Sequence, residues 1–132
     1  MNPVVHFEMP YDDRERIAAF YRAAFGWELQ MLGADMGHYV LATTATRDVK
    51  PDAPRGAIDG GFFPRSPDKP GQHPSLVIGV PDIRAAMQAV QAAGGEVLGE
   101  PMQIPGVGPY VAFHDTEGNR LSMLQPLAGA GR

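Results

Sequence analysis

Cysteine is absent from the 132 residues, which excludes disulfides, thiolate metal sites, iron–sulfur clusters and cysteine nucleophiles. Any chemistry must use histidine, carboxylates, hydroxyls or a bound cofactor. Basic clusters are absent too: 11 Lys and Arg stand against 15 Asp and Glu, a formal charge of −4, so nothing draws the chain to a phosphate backbone. No nucleic acid partner is expected. No apolar run reaches the roughly 18 residues of a membrane span, and the opening MNPVVHFEMP lacks the basic start and apolar stretch of a signal peptide. No membrane partner is expected either, and a cytoplasmic location is the default.

What is present suits one soluble domain over residues 1–132. Its hydrophobic share of 44% is enough for an ordinary core. Sixteen Gly and thirteen Pro together stay below the roughly 25–30% that marks disorder, and they read as many turns.

Val4 to Met9 alternates, with Val5, Phe7 and Met9 on one side and Val4, His6 and Glu8 on the other, as in a strand covered on one face. The second face is too polar for a closed core. Asp12 and Asp13 offer an N-cap, and Ile17, Phe20, Tyr21 and Ala24 form a helical stripe that stops at Gly26. Strands are expected at Trp27–Leu32, His38–Thr44 and Ala57–Phe63, with a polar loop over Arg47–Arg55. Gly60-Gly61 reads as close backbone packing and not as a phosphate loop, because no helix start follows it.

Arg65–Pro74, with three prolines and a glycine, is a linker between halves. Then the pattern repeats. Ser75–Val80 is a strand, Asp82 caps a helix with Ile83, Met87 and Val90 on one stripe, and Gly94-Gly95 ends it before Glu96–Leu98. Asp13 and Asp82, Ala24 and Ala93, and Gly26 and Gly95 all stand 69 residues apart, so the unit recurs in register as an internal duplication. Tyr110–His114 and Arg120–Gln125, joined by Asp115-Thr116-Glu117-Gly118-Asn119, close the second half as a hairpin. The order is βαβββ twice: module one covers about 3–64, the linker 65–74, module two 75–126 and a tail 127–132.

The runs VHFEMPYDDRERIAAFYRAAFGWEL, GAIDGGFFPR, VPDIRAAMQAVQAAGGEVL and FHDTEGNRLSMLQP resemble the vicinal oxygen chelate superfamily, which holds glyoxalase I, bleomycin resistance proteins and extradiol dioxygenases. The resemblance covers nearly the whole chain. It implies an α+β fold of two tandem βαβββ modules forming a curled mixed sheet around a cleft, commonly in a homodimer.

In metal-dependent members four ligands, typically His and Glu, come from the first and last strands of each module. Carried over one position at a time, the resemblance implies His6, Ser75 and Ser122, with Asp59 at the fourth place or Gly61 after a two-residue slip. Two of these are hydroxyls, which replace imidazole and carboxylate poorly. No cofactor is therefore expected beyond a weakly held divalent metal on His6 and Asp59, although His73 lies two residues before Ser75 and a strand slip would present it instead.

Each candidate has a plainer reading. His6 can line a cleft without reacting, Glu8 can be a solvated acid or a general base, and Arg120 can bind an anion, pair with Glu8 or sit exposed on its hairpin. His6, Glu8, Ser75 and Ser122 are expected to face a common cleft. Trp27, Phe62, Phe63, Tyr110 and Phe113 are candidate cleft walls, with core packing as the default for at least half of them. Two functions compete: a metal-free protein binding a small organic molecule through His6, Glu8, Asp59, Ser75, Ser122 and Arg120, and a metal-dependent lyase, isomerase or dioxygenase using His6 and a carboxylate; a metal-free lyase or isomerase with Glu8 or His6 as base sits between them. The two serines favour the first.

Overall fold

The computed structural model describes residues 1–45, 58–68 and 72–127. The elements run β1 (Val4–Tyr11), α1 (Arg14–Phe25), β2 (Glu28–Met31), β3 (Val40–Thr43), β4 (Asp59–Pro64), β5 (Ser75–Gly79), α2 (Ile83–Ala92), β6 (Glu96–Ile104), β7 (Gly108–His114) and β8 (Arg120–Leu124), so the α+β order βαβββ occurs twice. The loop expected at Arg47–Arg55, Ala57 of the expected fourth strand and most of the tail lie outside the described residues. The chain forms two compact units, residues 6–74 and residues 1–5 with 75–132.

In the 6–74 unit the strands lie in the order β2-β3-β4-β1, with β1 parallel to β4 and the other pairs antiparallel. Helix α1 begins where Asp13 accepts the Arg16 N–H at 3.0 Å, one of the donors that a helix start leaves orphaned. It ends at Gly26, whose φ of 73° is left-handed and costs a residue without Cβ nothing. Ile17 and Tyr21 pack against Val40, Ala42 and Phe62, joined by Phe7, Met9, Trp27, Leu29 and Met31. The expected stripe is half right. Phe20 is 57% exposed and Ala24 is exposed, while Ala18 takes a buried place beside Ile17.

In the second unit the order is β5-β8-β7-β6, again one parallel pair followed by antiparallel ones. Asp82 caps α2 by accepting from Ala85 N at 3.1 Å, and Ile83, Met87 and Val90 pack on Val80, Val111, Phe113 and Met123. In the β7–β8 hairpin Asp115 accepts from the Glu117 and Asn119 amides and from the Asn119 side chain, all at 2.9 Å. The Asn119 side chain contributes most to holding its carboxyl below the usual range.

Three expectations need correction. The segment between β2 and β3 carries a 3-10 turn at Ala34–Met36, which shortens both expected strands, and His38 beyond it sits at φ 56°. Strand β6 runs on to Ile104 through Gly99 and Pro101, because a register shift between Leu98 and Met102 absorbs the residues that break a regular ladder. Strand β7 starts two residues early, at Gly108.

Candidate functional site

Alternation along β1 divides its side chains as expected. Phe7 and Met9 join the α1-side core, and His6 and Glu8 take the opposite, half-buried face. Across the ladder His6 stands opposite Asp59 and Glu8 opposite Gly61.

The residue that joins His6 to Glu8 is Tyr39, just before β3. Its hydroxyl donates to Glu8 Oε2 at 3.0 Å and lies 2.9 Å from His6 Nε2, and the two rings are near parallel with centroids 6.4 Å apart. Tyr39 reaches this place because Gly61 has no side chain: a Cβ there would fall on the Tyr39 ring and hydroxyl. On the other face a Cβ at Gly60 would fall on the Phe7 ring. Consecutive glycines therefore let one aromatic ring lie against each side of β4, which is the close packing that the pair suggested.

Burial is the main cause lowering the His6 pKa, opposed by the nearby charges of Glu8 and Asp59. The exposed Asp59 accepts the Thr44 N–H at 2.9 Å through Oδ1. Thr44 Oγ1 donates to the Ile58 carbonyl at 2.7 Å, so the start of β4 is tied to the end of β3.

In the second unit the Ser75 hydroxyl donates to the Arg120 carbonyl at 2.9 Å, and the Ser122 hydroxyl, 5% exposed, donates to Tyr110 Oη at 2.7 Å. The half-buried Arg120 side chain makes no hydrogen bond or ion pair among the described residues. His73 is exposed ahead of β5, which starts at Ser75 with no slip. His38 is exposed, and His114 pairs with Glu96 on the sheet at 3.1 Å. Of the candidate walls, Phe62 and Phe113 belong to the two cores by strand parity, and Trp27, between α1 and β2, joins the first core by stacking on Tyr21 at 4.6 Å.

The repeat also decides which residues correspond. Val77 pairs with Ser122 and Glu8 pairs with Gly61, and Val77 follows Glu8 by the 69-residue period. The counterpart of Ser122 is therefore Gly61, and that of Arg120 is Asp59.

A tightly held divalent ion fits these residues poorly. Gly61 brings no donor atom, both serine hydroxyls are engaged, His6 Nε2 faces the Tyr39 hydroxyl, and Asp59 holds a backbone amide. Such ions are bound by imidazole and carboxylate, not by neutral hydroxyls. Among the described residues no three His, Asp or Glu gather as a metal group.

A family model for the Glyoxalase/Bleomycin resistance protein/Dioxygenase superfamily matches residues 4–123. The chain belongs to that superfamily. A glyoxylase-like domain-containing protein of Didymella fabae is 34% identical over 115 residues, 85% of this chain and 84% of that one. A glyoxylase-named protein of Mycobacterium bovis, CFP32, is 29% identical over 121 residues. Those residues are 90% of this chain but 42% of CFP32, so the chain spans less than half of that relative. Among solved structures, a methylmalonyl-CoA epimerase in complex with methylmalonyl-CoA superposes with a TM-score of 0.72 at 19% identity, covering 100% and 99% of the two chains. A protein of Bacillus halodurans C-125 does so at 0.70 and 16%, covering 99% of each. These likenesses show the fold. Sequence reasoning missed Tyr39, whose signal was the glycine pair that makes room for its ring.

Proposed function

We propose that this superfamily member binds a small organic molecule on the open sheet face of the 6–74 unit, around His6, Glu8, Tyr39 and Asp59, without needing a tightly held metal. The carrying observation is that His6 Nε2 already faces the Tyr39 hydroxyl at 2.9 Å, and that hydroxyl in turn donates to Glu8, so both groups are engaged in a hydrogen-bonded chain. A half-buried imidazole, a carboxylate and a phenol on one face are the few convergent polar groups that fix a small ligand's orientation. In the second unit Ser75, Ser122 and Arg120 are the proposed ligand-binding residues, where Arg120 suits an anionic part of a ligand.

The proximity of two carboxylates to His6 favours the second reading, a metal-dependent lyase, isomerase or dioxygenase of the glyoxalase type. One experiment separates the two: metal analysis of untagged protein after dialysis, a thermal-shift screen of nickel, zinc, manganese, iron and small organic molecules, and a methylglyoxal–glutathione assay. The binding reading expects metal far below one ion per chain, little or no turnover, and an organic ligand that raises the melting temperature by mass action. Stoichiometric metal with rapid turnover that is lost in His6→Ala establishes the enzyme instead.

A homodimer follows from the family resemblance and is part of the same proposal. Light scattering at tens of micromolar should give twice the chain mass, and a monomer mass removes it.

A further inference from the structure

We propose that Tyr39 is the positioning residue of this face: it holds His6 in a single tautomer so that Nδ1 offers its lone pair to a ligand that donates a hydrogen bond. A phenol hydroxyl carries one proton, and a carboxylate accepts without donating. The Tyr39 proton points to Glu8 Oε2 at 3.0 Å, so toward His6 the same oxygen can only accept. The proton of a neutral imidazole must then lie on Nε2, which leaves Nδ1 unprotonated. Among the described residues nothing hydrogen-bonds to Nδ1.

The ligand class follows from the charges around that nitrogen. Glu8 and Asp59 both act on His6 electrostatically, so a carboxylate approaching Nδ1 would meet a lone pair and two negative groups. An uncharged O–H or N–H donor meets an acceptor. This deepens the binding reading above and rests on it, because it requires His6 to be free of metal.

The test is a long-range proton–nitrogen correlation spectrum of the nitrogen-labelled chain near pH 7 in the presence of a chelator. Wild type should show His6 with Nε2 protonated and Nδ1 bare, and Tyr39→Phe should give a mixture of both tautomers. Glu8→Gln should also mix them, since an amide can donate to the phenol as well as accept from it. A wild-type His6 protonated on Nδ1, or a tautomer ratio unmoved by Tyr39→Phe, overturns the assignment; general loosening of the fold would not select one ring nitrogen. Phenol and benzoate at tens of millimolar then test the ligand class. Phenol should shift the His6 Nδ1 resonance and benzoate should not, whereas no shift with phenol, or an equal one with benzoate, overturns it. Failure of the metal-free reading appears separately, as retained metal in the dialysed protein.

Discussion

Phe62→Ala is expected to destabilise the protein by about 3–5 kcal/mol, a large part of the roughly 5–15 kcal/mol that separates a typical native domain from its unfolded chain. Phe62 is 0% exposed and sits where β4 meets α1, stacked on Tyr21 at 5.3 Å and edge-on to Phe7 at 6.5 Å. Truncation removes the transfer energy of the ring and leaves a cavity, because the Tyr21 and Phe7 rings are held by their own neighbours, Trp27 among them. Urea denaturation of both proteins reads the effect as a lower midpoint at similar slope. Phe20→Ala is the control: that ring is mostly outside the core, and its loss should fall within about 0.5 kcal/mol. A cost below about 1 kcal/mol for Phe62→Ala would mean that the aromatic cluster does not hold α1 to the sheet.

The parts of this fold legible in the sequence are those whose causes are local. Asp13 and Asp82 cap the helices that follow them, Gly26 ends the first in the left-handed conformation, and Asp115 organises its own hairpin through neighbours two and four residues on. A 69-residue period repeats these signals, so the duplicated order could be read without knowing any contact. The extension of β6 was not legible, because Gly99 and Pro101 signal a break and only pairing with β7 shows that the strand continues past them.

The candidate site divides along the same line. His6 and Glu8 could be placed by alternation along one strand. Tyr39 lies 33 residues from His6, and no spacing rule connects them. That Ser75 and Ser122 have engaged hydroxyls was equally hidden, since both acceptors are set by strand register: the Arg120 carbonyl on the neighbouring strand, and Tyr110 across the hairpin. Residue types thus indicated a poor metal site, and the register shows what the hydroxyls do instead.

Gly61→Ala is expected to cost about 1–3 kcal/mol, the usual range for overpacking, and to dismantle the His6–Tyr39–Glu8 chain as well. The added methyl would fall on the Tyr39 ring, so either the ring swings off β4 or the strand bends. Moving the ring is the easier course, because β4 is held by hydrogen bonds to β3 on one side and β1 on the other. The phenol then leaves both of its partners, and His6 should lose its tautomer preference. Gly33→Ala is the control, since a Cβ there meets only the end of the Asp35 side chain, at 3.2 Å, and that side chain can turn away. A double-mutant cycle isolates the cause. With Tyr39→Ala already in place the methyl has empty space to enter, so Gly61→Ala should then cost much less than it does in the wild type. Equal costs in the two backgrounds would show that Gly61 serves the backbone of β4 and not the seating of Tyr39.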